Sequence, residues 1–95
     1  MSTRIPKINK HLQRTIGEIL LTQADVPDGV LVTISRVETT SNLRFSDIFL
    51  LVSPLERAQE TLDMLKPQMY DIQGQLNRLL EFRPLPRIRF KQETL

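Results

Sequence analysis

The 95-residue sequence has no cysteine, no tryptophan, one histidine and three glycines. Without cysteine there is no disulfide framework and no thiolate metal site, which fits a reducing compartment. Gly17, Gly29 and Gly74 are too dispersed to build a phosphate-cradling loop, so the P-loop and the dinucleotide fingerprint are excluded. There is no G-x-S-x-G elbow. His11 has no carboxylate close by in sequence and reads as a surface residue rather than a general base. Asp25 and Asp28 flank a turn and are explained by turn propensity. The aromatic residues Phe45, Phe49, Tyr70, Phe82 and Phe90 do not form the paired motif of a base-stacking sheet. No apolar run approaches the ~18 residues of a membrane span, and Met1–Lys7 lacks the apolar core of a secretory signal. These absences point to a binding protein. No catalytic residue, metal, cofactor, membrane partner or small-molecule substrate is expected, and the chain reads as a monomer.

What is present is charge in particular places. Residues 1–14 carry Arg4, Lys7, Lys10 and Arg14 and no acid, and residues 83–91 carry Arg83, Arg87, Arg89 and Lys91 and no acid. The stretch between them is net acidic, so a net charge of only +2 hides two basic ends. Clustered cations suit a polyanion, because phosphate neutralisation and counterion release supply most non-specific nucleic-acid affinity.

Apolar spacing orders the chain as α-β-β-α-α-β. Ile5, Ile8, Leu12, Ile16, Ile19 and Leu20 predict a helix over about 6–23, with Pro6 in its first turn. Lys7, Lys10 and Arg14 fall on its opposite side, within about 60° of one another. Asp25–Gly29 is a turn by composition, followed by a β-branched strand over 30–37 and a polar turn over 38–42. The next strand, near 44–52, is apolar at both parities. It is either covered on both faces or central in its sheet, or else it leaves Phe49 and Leu51 open to a partner. Ser53-Pro54-Leu55-Glu56 reads as a capping box. The helix it opens has Leu55, Ala58, Leu62, Leu65 and Met69 as its buried stripe and Glu56, Glu60 and Asp63 outside, a solvated surface rather than a metal site. Pro67 interrupts or redirects it. Helical spacing resumes at Met69, Ile72, Leu76, Leu79 and Leu80, with Gly74 inside at a cost of roughly 1 kcal/mol relative to Ala. Arg87–Lys91 alternates strictly, as a half-buried edge strand with Arg87, Arg89 and Lys91 outward. The helices are expected to cover one sheet face, with the last strand parallel to one of the first two.

Arg4–Arg14 and Val32–Arg44 together resemble the ribosome-binding factor A family. Its pattern over the first strand and hairpin is V-T-I/V-x-x-V-E-x-S/T-x-D-L, with Asn42 here where Asp is usual. The second strand, the two-helix stretch and Pro86–Phe90 are also similar. The resemblance implies an α+β, type II KH-like fold, α-β-β-α-kink-α-β, with a three-stranded sheet and its helices on one face. Residues 1–95 would be one KH-like RNA-binding domain with its core over about 4–91. The family replaces the KH loop with a kink carrying Ala-x-Gly, matched here by Ile72-Gln73-Gly74, with Ile in place of Ala and Pro67 supplying part of the bend.

The implied function is a non-catalytic ribosome assembly factor. It would bind the immature small (30S) subunit and its 16S-type rRNA during late maturation and rRNA processing, and support growth in the cold. The compartment is the bacterial cytoplasm, a plastid being the alternative. The expected RNA contacts are Lys7, Lys10 and Arg14 on the first helix; Arg36 and Arg44 at the hairpin; Gly74 and Arg78 at the kink; and Arg87, Arg89 and Lys91 on the last strand. The competing reading is a protein-interaction module that uses Phe49 and Leu51 or the acidic helix face. Salt separates the two, since RNA affinity falls steeply as salt rises.

Overall fold

In the computed structural model residues 4–94 are described, so the outer limits of the expected 1–95 domain lie outside them. The first helix, α1, spans Arg4–Thr22, and the expected stripe is buried from Ile8 onward, at Ile8, Leu12, Ile16, Ile19 and Leu20, while Ile5 in the first turn is only partly buried. Lys7, Lys10 and Arg14 are exposed on its other side. The link to the sheet turns at Gly29, whose φ of +79° suits a residue without a side chain.

Strands β1 (Leu31–Thr39) and β2 (Phe45–Ser53) pair antiparallel, and β3 (Arg87–Gln92) pairs parallel to β2. The three-stranded order is β1-β2-β3, which makes β2 central and β3 an edge. One face of β2, carrying Ser46, Ile48, Leu50 and Val52, is buried under the helices. The other face, with Phe45, Asp47, Phe49 and Leu51, is only half-buried. The expectation of a central strand therefore holds, and cover on both faces does not. The helices occupy one side of the sheet.

A register shift lies in β1 between Ile34 and Arg36. Ile34 sits opposite Leu50 and Arg36 opposite Phe49. Inward positions thus pass from even numbers (Val32, Ile34) to odd ones (Val37, Thr39), as an inserted residue requires in a period-two strand. The shift is what turns Arg36 onto the open face. At the hairpin, Asn42 Oδ1 accepts from the Arg44 N–H (3.0 Å) and the Thr40 hydroxyl (2.6 Å). Asn thereby supplies the acceptor that the usual Asp would.

The capping box does not form. Ser53 is the last residue of β2, paired with Leu31, and Pro54 precedes a 3-10 turn, Leu55–Arg57, with no side-chain cap. That tighter turn carries Leu55 off the predicted stripe, leaving it 63% exposed. Helix α2 (Ala58–Leu65) buries Ala58, Thr61 and Leu65. Thr61 is tolerated there because its hydroxyl donates to the Arg57 carbonyl at 2.9 Å.

The expected kink is also displaced. A 3-10 turn at Lys66–Gln68 separates α2 from α3 (Met69–Leu79), and Ile72-Gln73-Gly74 lies within regular helix. Pro67, at the start of that turn, has no N–H to continue the ladder. Nothing at Gly74 breaks it. Gln68 fixes the interruption in place: its amide bonds the Asp25 N–H and carbonyl, both at 2.8 Å.

Candidate nucleic-acid interface

α2, α3 and β3 enclose a groove of about 1020 Å³. Leu62, Met69, Ile88 and Phe90 give it an apolar lining, with Lys66, Asp71, Arg78 and Arg87 among its charged residues. Arg89 borders it from the edge strand, its guanidinium turned to Asp47 and Phe45 on the other face. Gln73 sets its width. The Gln73 amide donates to the Pro86 carbonyl (3.1 Å), and its oxygen accepts from the Ile88 N–H (3.0 Å). α3 is thereby pinned to the free edge of β3. Gly74 lines the same groove. A Cβ there would meet only Arg78 Nη1, at an ordinary 3.5 Å, so packing within the chain does not require glycine. A smaller recess of about 490 Å³ adjoins it, lined by Asn42, Arg44, Pro84 and Arg87 among others. Arg87 borders both, which brings Gly74, Arg78, Arg87, Arg89 and Arg44 into one neighbourhood.

The remaining expected residues lie elsewhere. Lys7, Lys10 and Arg14 form their own cationic row on α1. Among the described residues, none of the three has an ion-pair partner. Arg36 and Lys91 sit on the open sheet face, together with Arg89.

That face is a network of mutual restraint. The Arg36 guanidinium lies 3.8 Å from the centre of the Phe49 ring, and Arg89 lies 4.3 Å from that of Phe45. Asp47 accepts from Arg89 at 2.7 Å and lies 3.2 Å from Lys91. Glu93, only 9% exposed, accepts from Arg36 and from the Ser35 hydroxyl, both at 2.9 Å. Arg36 also pairs with Glu38. Bonds from Arg36 and then Ser35 hold the Glu93 carboxyl below its ordinary value, and the bond to Glu93 raises the Arg36 guanidinium. Burial pushes Asp47 up, but the bonds from Arg89 and Lys91 together outweigh it and its carboxyl is net lowered.

Arg83, part of the second basic cluster in sequence, has a structural task. Its guanidinium donates to the Asn77, Leu80 and Phe82 carbonyls at 2.8–2.9 Å, closing the end of α3. Three groove residues escaped sequence reasoning: Lys66, hidden as a lone cation beside Pro67, Gln73, named only for the kink, and Tyr70, set aside with the other dispersed aromatics. The spacing of Gln73 from a strand edge is a tertiary fact with no local signal. Among the described residues there is no cluster of metal-ligating side chains, and no helix is long and apolar enough to cross a membrane.

The model of the ribosome-binding factor A family matches residues 4–95, and the chain belongs to that family. Ribosome-binding factor A of Bdellovibrio bacteriovorus is 28% identical over 88 residues; the match covers 92% of this chain and 66% of that protein. The crystal structure of ribosome-binding factor A from Thermus thermophilus superimposes with a TM-score of 0.80 at 18% identity, covering 93% of this chain and 94% of the other. A Thermus thermophilus ribosome-binding factor A homology model, fitted into the cryo-electron microscopy map of a complex with 30S, gives 0.68 at 21% identity, covering 87% and 88%. The shared fold is the KH-like one, with a mixed three-stranded sheet.

Proposed function

We propose that this member of the ribosome-binding factor A family is a non-catalytic assembly factor, one KH-like domain acting as a monomer in the bacterial cytoplasm. It binds the immature 30S subunit through 16S-type rRNA during late maturation and rRNA processing. The observation that carries the reading is the set of cations with no ion-pair partner among the described residues: Lys7, Lys10 and Arg14 on α1, with Arg78 and Arg87 at the groove. Unpaired guanidinium and ammonium groups on rigid elements are ready to take phosphates without first breaking an internal bond. The groove, with an apolar lining and three cations to one acid (Lys66, Arg78 and Arg87 against Asp71), suits a nucleotide strand, with bases against the apolar side chains and phosphates at the cations. The relative fitted with 30S supports the choice of partner.

Co-sedimentation with ribosomal particles at low salt tests the proposal. The chain is expected to travel with small subunits or their precursors and to be released as salt rises. Absence from those fractions at low salt contradicts it.

A further inference from the structure

Tyr70 is 88% exposed on the first turn of α3 and contributes nothing to the core. Isolated surface apolar residues are ordinary, but this one stands in the groove. Tyr70, Gly74 and Arg78 follow one another at four-residue intervals and all line it. Four helical residues rise about 6 Å, so Tyr70, Gly74 and Arg78 are rooted about one turn apart on the groove wall, with the Arg78 guanidinium reaching back to 3.5 Å from where a Gly74 Cβ would stand. The chain itself explains neither the exposed ring nor the glycine. The glycine costs roughly 1 kcal/mol relative to Ala in a helix interior, and a Cβ would fit.

We infer that Tyr70 stacks on a base of single-stranded RNA, that the notch at Gly74 lets the nucleotide lie against the helix, and that Arg78 takes an adjoining phosphate. The inference rests on the proposed RNA-binding function and names the groove's ligand as an unpaired strand. Stacking suits such a ligand because every base has a π-face and an unpaired one can be splayed out. Asp71 and Lys66 both line the groove at the Tyr70 end and offset one another in charge, so the net positive charge for a phosphate lies toward Arg78.

Tyr70 is the only tyrosine and there is no tryptophan, so intrinsic emission reports this one ring. The full chain is titrated with an oligoadenylate of about ten nucleotides, within the span of small single-strand sites, and with inorganic polyphosphate, which has the charge and no bases. The expected result is strong quenching by the oligoadenylate and none by polyphosphate. Tyr70→Ala should weaken oligoadenylate binding roughly 5- to 150-fold, the range of base–aromatic stacking, and leave polyphosphate binding unchanged. Tyr70→Phe should retain affinity to within about twofold, since the stacking face is kept. Gly74→Leu should weaken oligoadenylate binding with no loss of thermal stability. Oligoadenylate binding without quenching, or unaltered by Tyr70→Ala, overturns the stacking role and leaves the RNA reading standing. Failure of the wild-type chain to bind any RNA overturns both.

Discussion

On the open face of the sheet Arg36, Arg89 and Lys91 each have an acid against them, and both arginines also lie over a phenylalanine ring. On the outer face of α1, Lys7, Lys10 and Arg14 have no such partner among the described residues. The two regions look alike by residue type and differ in what a phosphate would have to displace. A cation already held by a carboxylate must give up that bond to take another, so the clamped set has less to gain from RNA than the free set. Counting charges in a sequence treats the two as equal.

The largest effect that would sharpen this contrast is charge reversal on α1. Lys7→Glu, Lys10→Glu and Arg14→Glu together should reduce association with small subunits by at least about tenfold, or about 1.4 kcal/mol. Circular dichroism should show an unchanged fold, because all three side chains are exposed. Retained co-sedimentation would remove α1 from the interface.

A second effect is on stability and belongs to the sheet face alone. Asp47 and Glu93 are both held below the ordinary carboxylate range. Their contribution is fully present above that range and is lost as pH falls through their lowered folded-state values. Thermal unfolding followed against pH should show Tm falling on acidification. The Asp47→Asn, Glu93→Gln variant should be less stable at neutral pH and have a flatter profile. An identical profile in variant and wild type would mean that these carboxyls do not hold the face together.

A smaller effect runs the other way. Asp47→Asn releases Arg89 and Lys91 from their shared carboxylate. RNA affinity, read by anisotropy of a labelled oligonucleotide, should rise by about two- to threefold, the scale of a modest electrostatic contact. No change would show that these two cations are out of reach of the RNA even when free.

Much of the fold was legible because it follows from local periodicity. The α1 stripe, the alternation of β3 and the stop at Pro67 each depend on spacing within one element. What was misread depends on partners far away in sequence. Ser53 had the identity of a cap, but its pairing with Leu31 kept it in β2. Gly74 suggested a kink, yet Pro67 alone removes a backbone donor, and the helix breaks there. The register shift next to Arg36 and the buried Glu93 beneath it have no periodic signature. So Arg36, Arg89 and Lys91 were visible in the sequence as cations, but their carboxylate partners were not. In the second basic cluster, Arg83 closes a helix and Arg89 and Lys91 are clamped, which leaves Arg87 as the one whose side chain has neither a carboxylate nor a carbonyl partner among the described residues.

The claim that availability, rather than number, of cations sets RNA binding is tested most directly by a matched pair of variants. One carries Lys7→Gln, Lys10→Gln and Arg14→Gln; the other carries Arg36→Gln, Arg89→Gln and Lys91→Gln. Each removes the same formal charge. The measurement is the slope of log affinity against log salt for a single-stranded rRNA fragment. Three lost phosphate contacts should flatten the slope by about 2 in the first variant. The second should keep the wild-type slope. Equal flattening in both, or flattening only in the second, would contradict the account.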